Sequence, residues 1–351
     1  MIHSSPKILF YCKNGRNTEK QIEFVFMTKG GIKLRYKRAV ILLVLAVMVM
    51  AAGCSDKQEE KITIGLLPIV DSLPFYVASE KGLFQAAGVN VQLVNFDSAM
   101  ERDSAIQAGE IDGTLGDVLA VAALNNAGTA VKMVSLGLGE TGKEGRFAIL
   151  ASPGSGIAAP GDLKNVPVAV STNSIIEYVT DSLLLDSGLN PDEIRKEAIP
   201  KIPVRFNLLL ENKIKAACLP DPLAAMAQNK GAKLVADDTG SNLSQTVIYF
   251  RNDFLDRHPG AVTSFLKAYG RAAAEINGNP GAYSSMLVEK ARVPREALDV
   301  FAMDHYPAPQ PPDRAHVEKV VGWMLEKGLL KKQFSYEDLA RTDLLPPQAK
   351  Q

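Results

Sequence analysis

From Ile62 onward the hydrophobic and polar positions alternate between two rhythms. Ile62 to Leu67 is a short apolar run of strand-forming residues, and Pro74 to Ala87 carries apolar residues at helical spacing with proline in its first turn. Val89, Val91 and Leu93 then repeat at every second position, which predicts a strand. Strand, helix, strand is a βαβ unit, and it implies a mainly parallel sheet with right-handed crossovers. Helices over 99–108 and 118–127, and strands over 111–115, 131–136 and 147–151, continue the pattern until Ser152-Pro153-Gly154-Ser155-Gly156 interrupts it as a boundary should.

A second unit follows. Strands are expected over 166–170 and 214–219, with helices over 175–186, 204–210 and 223–228. The strand Thr246 to Arg251 then leads into helices over 260–277, 281–291, 295–303 and 313–327. These late helices have no sheet of their own, so they are expected to pack on the first lobe. The expected architecture is α/β, with lobe I formed by 62–151 plus 246–345 and lobe II by 152–245, joined by crossings near 152 and 245. An echo between Gly109-Glu110-Ile111-Asp112-Gly113 ahead of Asp117 and Asn212-Lys213-Ile214-Lys215-Ala216 ahead of Asp221 fits two comparable lobes.

Charge separates the start of the chain from its body. Nine basic and two acidic residues precede Cys54, whereas the remainder holds 30 basic and 37 acidic side chains, a net charge of −7. An acidic body without basic clusters argues against a nucleic-acid partner. Lys29, Lys33, Arg35, Lys37 and Arg38, the apolar run Ala39 to Ala52 and then Gly53-Cys54 form the ordered parts of a secretory signal. That run is shorter than the roughly 20 residues a spanning helix needs. The segment Ala51-Ala52-Gly53-Cys54 resembles a bacterial lipobox, with Ala51 where leucine is usual. Residues 1–53 are therefore read as leader, with the true start at Met27 and the signal over 27–53, Cys54 as the lipidated first residue, and 54–61 as a tether. Cys12, Cys54 and Cys218 offer no disulfide framework.

The body carries a family resemblance. Ile64-Gly65-Leu66-Leu67-Pro68, Pro74-Phe75-Tyr76-Val77-Ala78, Glu80-Lys81-Gly82-Leu83-Phe84 and Ala87-Gly88-Val89 resemble the opening of the SsuA/THI5-like (NitT/TauT) solute-binding proteins. Gln107 to Gly113 with Gly116-Asp117, and Asp162-Leu163-Lys164 leading into Val168-Ala169-Val170-Ser171, extend the match over about 62–275. The resemblance implies a type II periplasmic-binding-protein fold that closes around a small solute and hands it to the permease of an ABC importer. With the leader, the expectation is an exported monomer anchored to the membrane, and with no catalytic, cofactor or metal pattern in the sequence none of these is expected. Members of the family bind sulfonates, nitrate, pyrimidine precursors and other small molecules.

In open α/β sheets, ligands sit beyond the carboxyl ends of the strands. Four turns meet that condition: Asp71, Ser72 and Leu73 after Pro68; Gly116, Asp117 and Val118; Ser171, Thr172, Asn173 and Ser174; and Asp221 and Pro222 after Pro220. Each has a structural alternative. Ser174 and Glu177 have the spacing of a capping box, and Asp117 and Asp221 precede helices that they would cap. Phe75 and Tyr76 suit a core, and Cys218 suits an inert thiol inside an apolar strand. Since no arginine or lysine lies within the four turns, the expected ligand is neutral or cationic and rich in donors.

Gly137-Leu138-Gly139-Glu140-Thr141-Gly142 matches a dinucleotide fingerprint, but the strand that follows supplies no helix N-terminus for a pyrophosphate. His305 and His316 are expected at the surface. Two other classes remain open: a ligand-sensing subunit for a receptor, and an enzyme on the same fold, similar to a pyrimidine synthase or a menaquinone-pathway enzyme. A neighbouring sensor-kinase gene would favour the first, and the export leader speaks against the second.

Overall fold

The computed structural model describes residues 60–347. The leader, Cys54 and most of the tether lie outside the described residues. The sheet begins inside the expected tether, because Glu60 and Lys61 already pair with Val89 and Asn90.

The first sheet contains β1 (Glu60–Leu66), β2 (Val89–Asn95), β3 (Gly113–Asp117) and β4 (Val131–Leu138), together with the late strand β10 (Thr246–Arg251). Its order is β2-β1-β3-β10-β4. The second contains β5 (Phe147–Ala151), β6 (Pro167–Val170), β7 (Arg195–Ala198), β8 (Ala216–Pro220) and β9 (Lys233–Asp237), in the order β7-β6-β8-β5-β9. The two share one plan. Three neighbouring strands run parallel, and the fourth, β10 in one sheet and β5 in the other, runs antiparallel between its neighbours.

β5 therefore belongs to the second lobe. The first crossing lies at 139–146, earlier than the Pro-Gly stretch near 152, and the second occupies 238–245. The glycines of the apparent dinucleotide fingerprint have a different cause. Gly139 adopts φ 90°, and a Cβ on Gly142 would lie 2.1 Å from the Thr239 carbonyl oxygen. The two crossings run so close that only glycine fits between them. The sequence echo is structural as well. Gly109 (φ 76°) and Asn212 (φ 57°) both turn the chain through the left-handed region into the third strand of their sheet.

Helices cover both sheets. The expected helix over 74–87 is interrupted at Gly82 (φ 66°) into α1 (Leu73–Glu80) and α2 (Leu83–Ala86). α3 (Ala99–Ala108) and α4 (Val118–Asn126) complete the first lobe, and α5 (Ile175–Asp186), α6 (Ile202–Leu210) and α7 (Leu223–Asn229) serve the second. The chain closes with α8 (Asn252–Arg257), α9 (Pro259–Gly278), α10 (Ser284–Glu289), α11 (Arg314–Glu326) and α12 (Tyr336–Leu339). Over 295–303 only a single 3-10 segment forms, Arg295–Asp299.

α9 packs on α1 and α2 as expected of a first-lobe helix, but α11 serves both lobes. It lies on α4, while Trp323 Nε1 donates to Asp181 Oδ2 of α5 at 3.1 Å and Lys327 pairs with the same carboxylate at 2.7 Å. His316, expected at the surface, is 5% exposed because it sits on the inner face of α11 beside Tyr178. Burial holds its imidazole down to about 4, so it is neutral at physiological pH.

Candidate functional site

The carboxyl ends of β1, β3, β6 and β8 carry the four turns, and the C-terminal chain joins them. The Asp304 carboxylate accepts the Gly145 amide of the first crossing at 3.2 Å and lies within electrostatic reach of Asp71 from the first lobe and Asp221 from the second. Its Oδ2 is buried with no protein partner. Burial first, and then the Asp71 charge, push the Asp304 carboxyl up to about 8. Asp71 is 8% exposed, and burial raises its pKa as well. Tyr306 anchors this corner by donating to the Val70 carbonyl at 2.8 Å.

Several of the expected contact residues have side chains committed elsewhere. Ser72 Oγ donates to the Leu67 carbonyl at 2.8 Å, and Leu73 and Val118 are core residues. Pro222 is also buried. A Cβ on Gly116 would stand 3.0 Å from Arg102 Nη1 and 3.1 Å from the Tyr249 ring. Asp117 caps α4 through the Ala120 amide at 2.8 Å, and burial raises its pKa against the opposing charge of Arg102.

In the third turn Ser174 caps α5 through the Ile176 amide at 3.2 Å. Glu177 reaches the Asn173 amide at 2.6 Å rather than that of Ser174, so the capping pair forms with its second bond displaced by one residue. Thr172 and Asn173 are exposed, and Asn173 has φ 56°. Cys218 is fully buried, with its thiol pushed up to about 11 by burial, as an inert core thiol requires.

The expectation that no basic side chain serves the turns is overturned. Three arginines reach them from elsewhere in the chain. Arg102 of α3 donates to the Leu115 carbonyl at 3.0 Å and pairs with Asp103 at 2.7 Å. Arg146 ends the first crossing and grips Asp221 with two bonds, Nε to Oδ2 at 2.8 Å and Nη2 to Oδ1 at 3.0 Å, with Asp237 at 3.3 Å. Asp221 is thus charge-paired and also accepts the Ala225 amide at 2.9 Å. Arg205 of α6 donates to Ser171 Oγ at 3.2 Å and the Ile199 carbonyl at 2.9 Å. One sign of Arg205 was legible: Ile202, Arg205, Phe206 and Leu209 follow the apolar spacing of a helix, which places a cation on the buried face. For Arg146 and Asp304, distant in sequence from the turns they serve, no such sign exists.

Solved structures and curated proteins resemble this chain over most of its body. The periplasmic aliphatic sulphonate binding protein SsuA of Escherichia coli superposes with a TM-score of 0.71 over 84% of this chain and 96% of that one, at 18% identity, which shows the periplasmic-binding-protein fold. A protein of Brachyspira hyodysenteriae described as an ABC transporter periplasmic binding protein is 23% identical over 269 residues, 70% of this chain and 76% of its own length. The bicarbonate-binding protein CmpA of Synechococcus is 32% identical over 261 residues, 62% of this chain, and the match spans about half of that relative, 54%. The family model of the NMT1-like family matches residues 55–287, about two thirds of the sequence, and the chain belongs to that family.

Proposed function

We propose that the protein is the extracytoplasmic solute-binding subunit of an ABC importer, which captures one small molecule between its lobes and delivers it to a membrane permease. The observation that carries this reading is the passage of the chain from one α/β sheet to a second and back through two adjacent crossings, 139–146 and 238–245, with Asp71 of the first lobe and Asp221 of the second both within electrostatic reach of Asp304. Two thin connections allow the lobes to close on a ligand as rigid bodies. The relatives described as periplasmic and bicarbonate-binding proteins support the same reading. Asp71, Thr172 and Asn173 contact the solute through side chains, and the neighbouring turns contribute mainly backbone. Asp117 and Asp221 shape the site as a helix cap and as the partner of Arg146.

Small-molecule mass spectrometry on protein purified without denaturant identifies the solute, and X-ray scattering with and without it tests closure. The radius of gyration is expected to fall on saturation, and ligand at 100 times its dissociation constant should add about 2.7 kcal/mol of stability. An unchanged radius at saturation would sink the closing-cleft mechanism.

The lipid on Cys54 is part of the same proposal, resting on the order of basic stretch, apolar run and Gly53-Cys54. Cys54→Ala should abolish fatty-acid labelling and release the protein from membranes. Undiminished labelling of the variant would rule the anchor out.

A further inference from the structure

Beyond the two crossings, the C-terminal chain touches the second lobe again at α11. That helix rides on α4 of the first lobe, and its Trp323 and Lys327 reach across to Asp181 of α5. Asp181 is 3% exposed, and both contacts fall on its Oδ2, the indole N–H at 3.1 Å and the ammonium at 2.7 Å. Tyr178, also on α5, meets the Trp323 ring edge-on at 5.6 Å.

The cluster is connected to the turns of both lobes. In the second lobe Asp181 shares Lys196 with Glu177, whose other oxygen accepts the Asn173 amide at 2.6 Å. In the first lobe α4, the helix beneath α11, begins at its cap Asp117. The contact of α11 with α5 therefore links the turn at 171–174 to the turn at 116–118 by a route outside the crossings.

This contact is built so that it can open. When α11 withdraws, Lys196 stays on Asp181, at 2.7 and 3.0 Å from its two oxygens, and the carboxylate is not left bare. The Lys327 side chain is already 38% exposed and turns into water. The C-terminal chain also meets the second lobe where Lys230 pairs with Glu296 at 3.4 Å, but both side chains are exposed and such a pair contributes little.

We propose that Asp181, with Trp323 and Lys327, is a latch that holds the second lobe against the first and sets how long the cleft keeps its solute. The retention of solute rests on the solute-binding reading, whereas the latch itself does not. Packed contacts of this kind hold discrete arrangements rather than yielding gradually, so the lobes part when the latch lets go.

Hydrogen exchange of the full chain, read by mass spectrometry, tests the latch. Lys327→Met keeps most of the stem and removes the charge. It should raise exchange about 5- to 10-fold at the crossings, 139–146 and 238–245, and at the 171–174 turn. Trp323 is the only tryptophan in the sequence, so acrylamide quenching of its emission should rise in parallel. Trp323→Phe keeps a ring beside Tyr178, removes the donor and should raise exchange at the same places. A pair that only staples two helices would raise exchange in α5 and α11 and leave the crossings and the turn at wild-type rates, which overturns the proposal. Wild-type rates throughout overturn it as well. If Lys327→Met does not fold, Trp323→Phe decides by the same exchange readings.

Retention separates the latch from the solute-binding reading. The small molecule that stays on wild type through gel filtration, measured by native mass spectrometry, should fall about five-fold in Lys327→Met. Equal or higher retention overturns the latch's hold on the solute. If wild type retains no small molecule, the solute-binding reading loses its support and exchange alone decides the latch.

Discussion

Phe265→Ala is expected to lower the unfolding free energy of the first lobe by about 3 to 5 kcal/mol, the cost of removing a buried aromatic ring and leaving a cavity. Phe265 lies on α9 and is 0% exposed. Its ring stacks on Phe84 of α2 at 5.3 Å, meets Phe250 of β10 edge-on at 5.5 Å and lies 6.0 Å from Phe75 of α1. One side chain therefore ties α9 to the strand that shortly precedes it, β10, and to two helices, α1 and α2, that the chain laid down far earlier. Such a cluster cannot collapse around a missing ring without moving all four elements, so the loss should fall at the upper end of the range. Leu185→Ala, at a position 41% exposed on α5, serves as the comparison and should change stability by only about 0.5 kcal/mol. Urea unfolding followed by fluorescence measures both. Equal effects in the two variants would mean that α9 does not hold the first lobe together.

Stability should also fall as pH rises from 6.5 to 8.5, by about 2 kcal/mol from Asp304 alone. Its carboxyl is pushed up to about 8 in the folded state, against about 4 in an unfolded chain, so the folded state binds the proton more tightly. The resulting stabilisation is fully present below pH 4 and is lost as pH passes through 8. His316 acts with the opposite sign in a different window. Its folded value of about 4 lies below the unfolded one, so its contribution is present above about pH 6.5 and is lost as pH falls through 4. Above pH 6.5 that contribution is constant. Asn mimics the protonated acid and can still accept the Gly145 amide, so Asp304→Asn should remove most of the decline. Urea midpoints at pH 6.5, 7.5 and 8.5 supply the comparison, and identical slopes in the two proteins would show that Asp304 ionises freely. Because Asp304 holds the Gly145 amide of the first crossing, closure around a solute should inherit part of this dependence.

The alternation of apolar runs determined the α/β class, the βαβ order and the bounds of elements such as 99–108, 147–151, 175–186 and 246–251, because each buries a face of fixed period against one sheet. The edge strands β7 and β9 escaped notice because their sequences, Arg195 to Ala198 and Lys233 to Asp237, mix charged residues into a pattern that only pairing with a neighbour turns into a strand. Gly82 ended a helix whose periodicity continues past it, since a left-handed residue interrupts the backbone without disturbing the hydrophobic pattern.

The turns at the carboxyl ends of β1, β3, β6 and β8 were also legible, because carboxyl ends of strands follow from strand positions. Their chemistry was not. Arg146 and Asp221 are 75 residues apart, and Arg205 and Ser171 are 34 apart. Local sequence therefore showed acids without the cations that answer them. The place where the chain changes lobes was decided in the same way. β5 could join either sheet by its own composition, and its ladder with β8 assigns it to the second. Periodicity is a property of a segment and its solvent, whereas charge compensation and strand partnership depend on segments meeting in space, and so only the tertiary structure decided them.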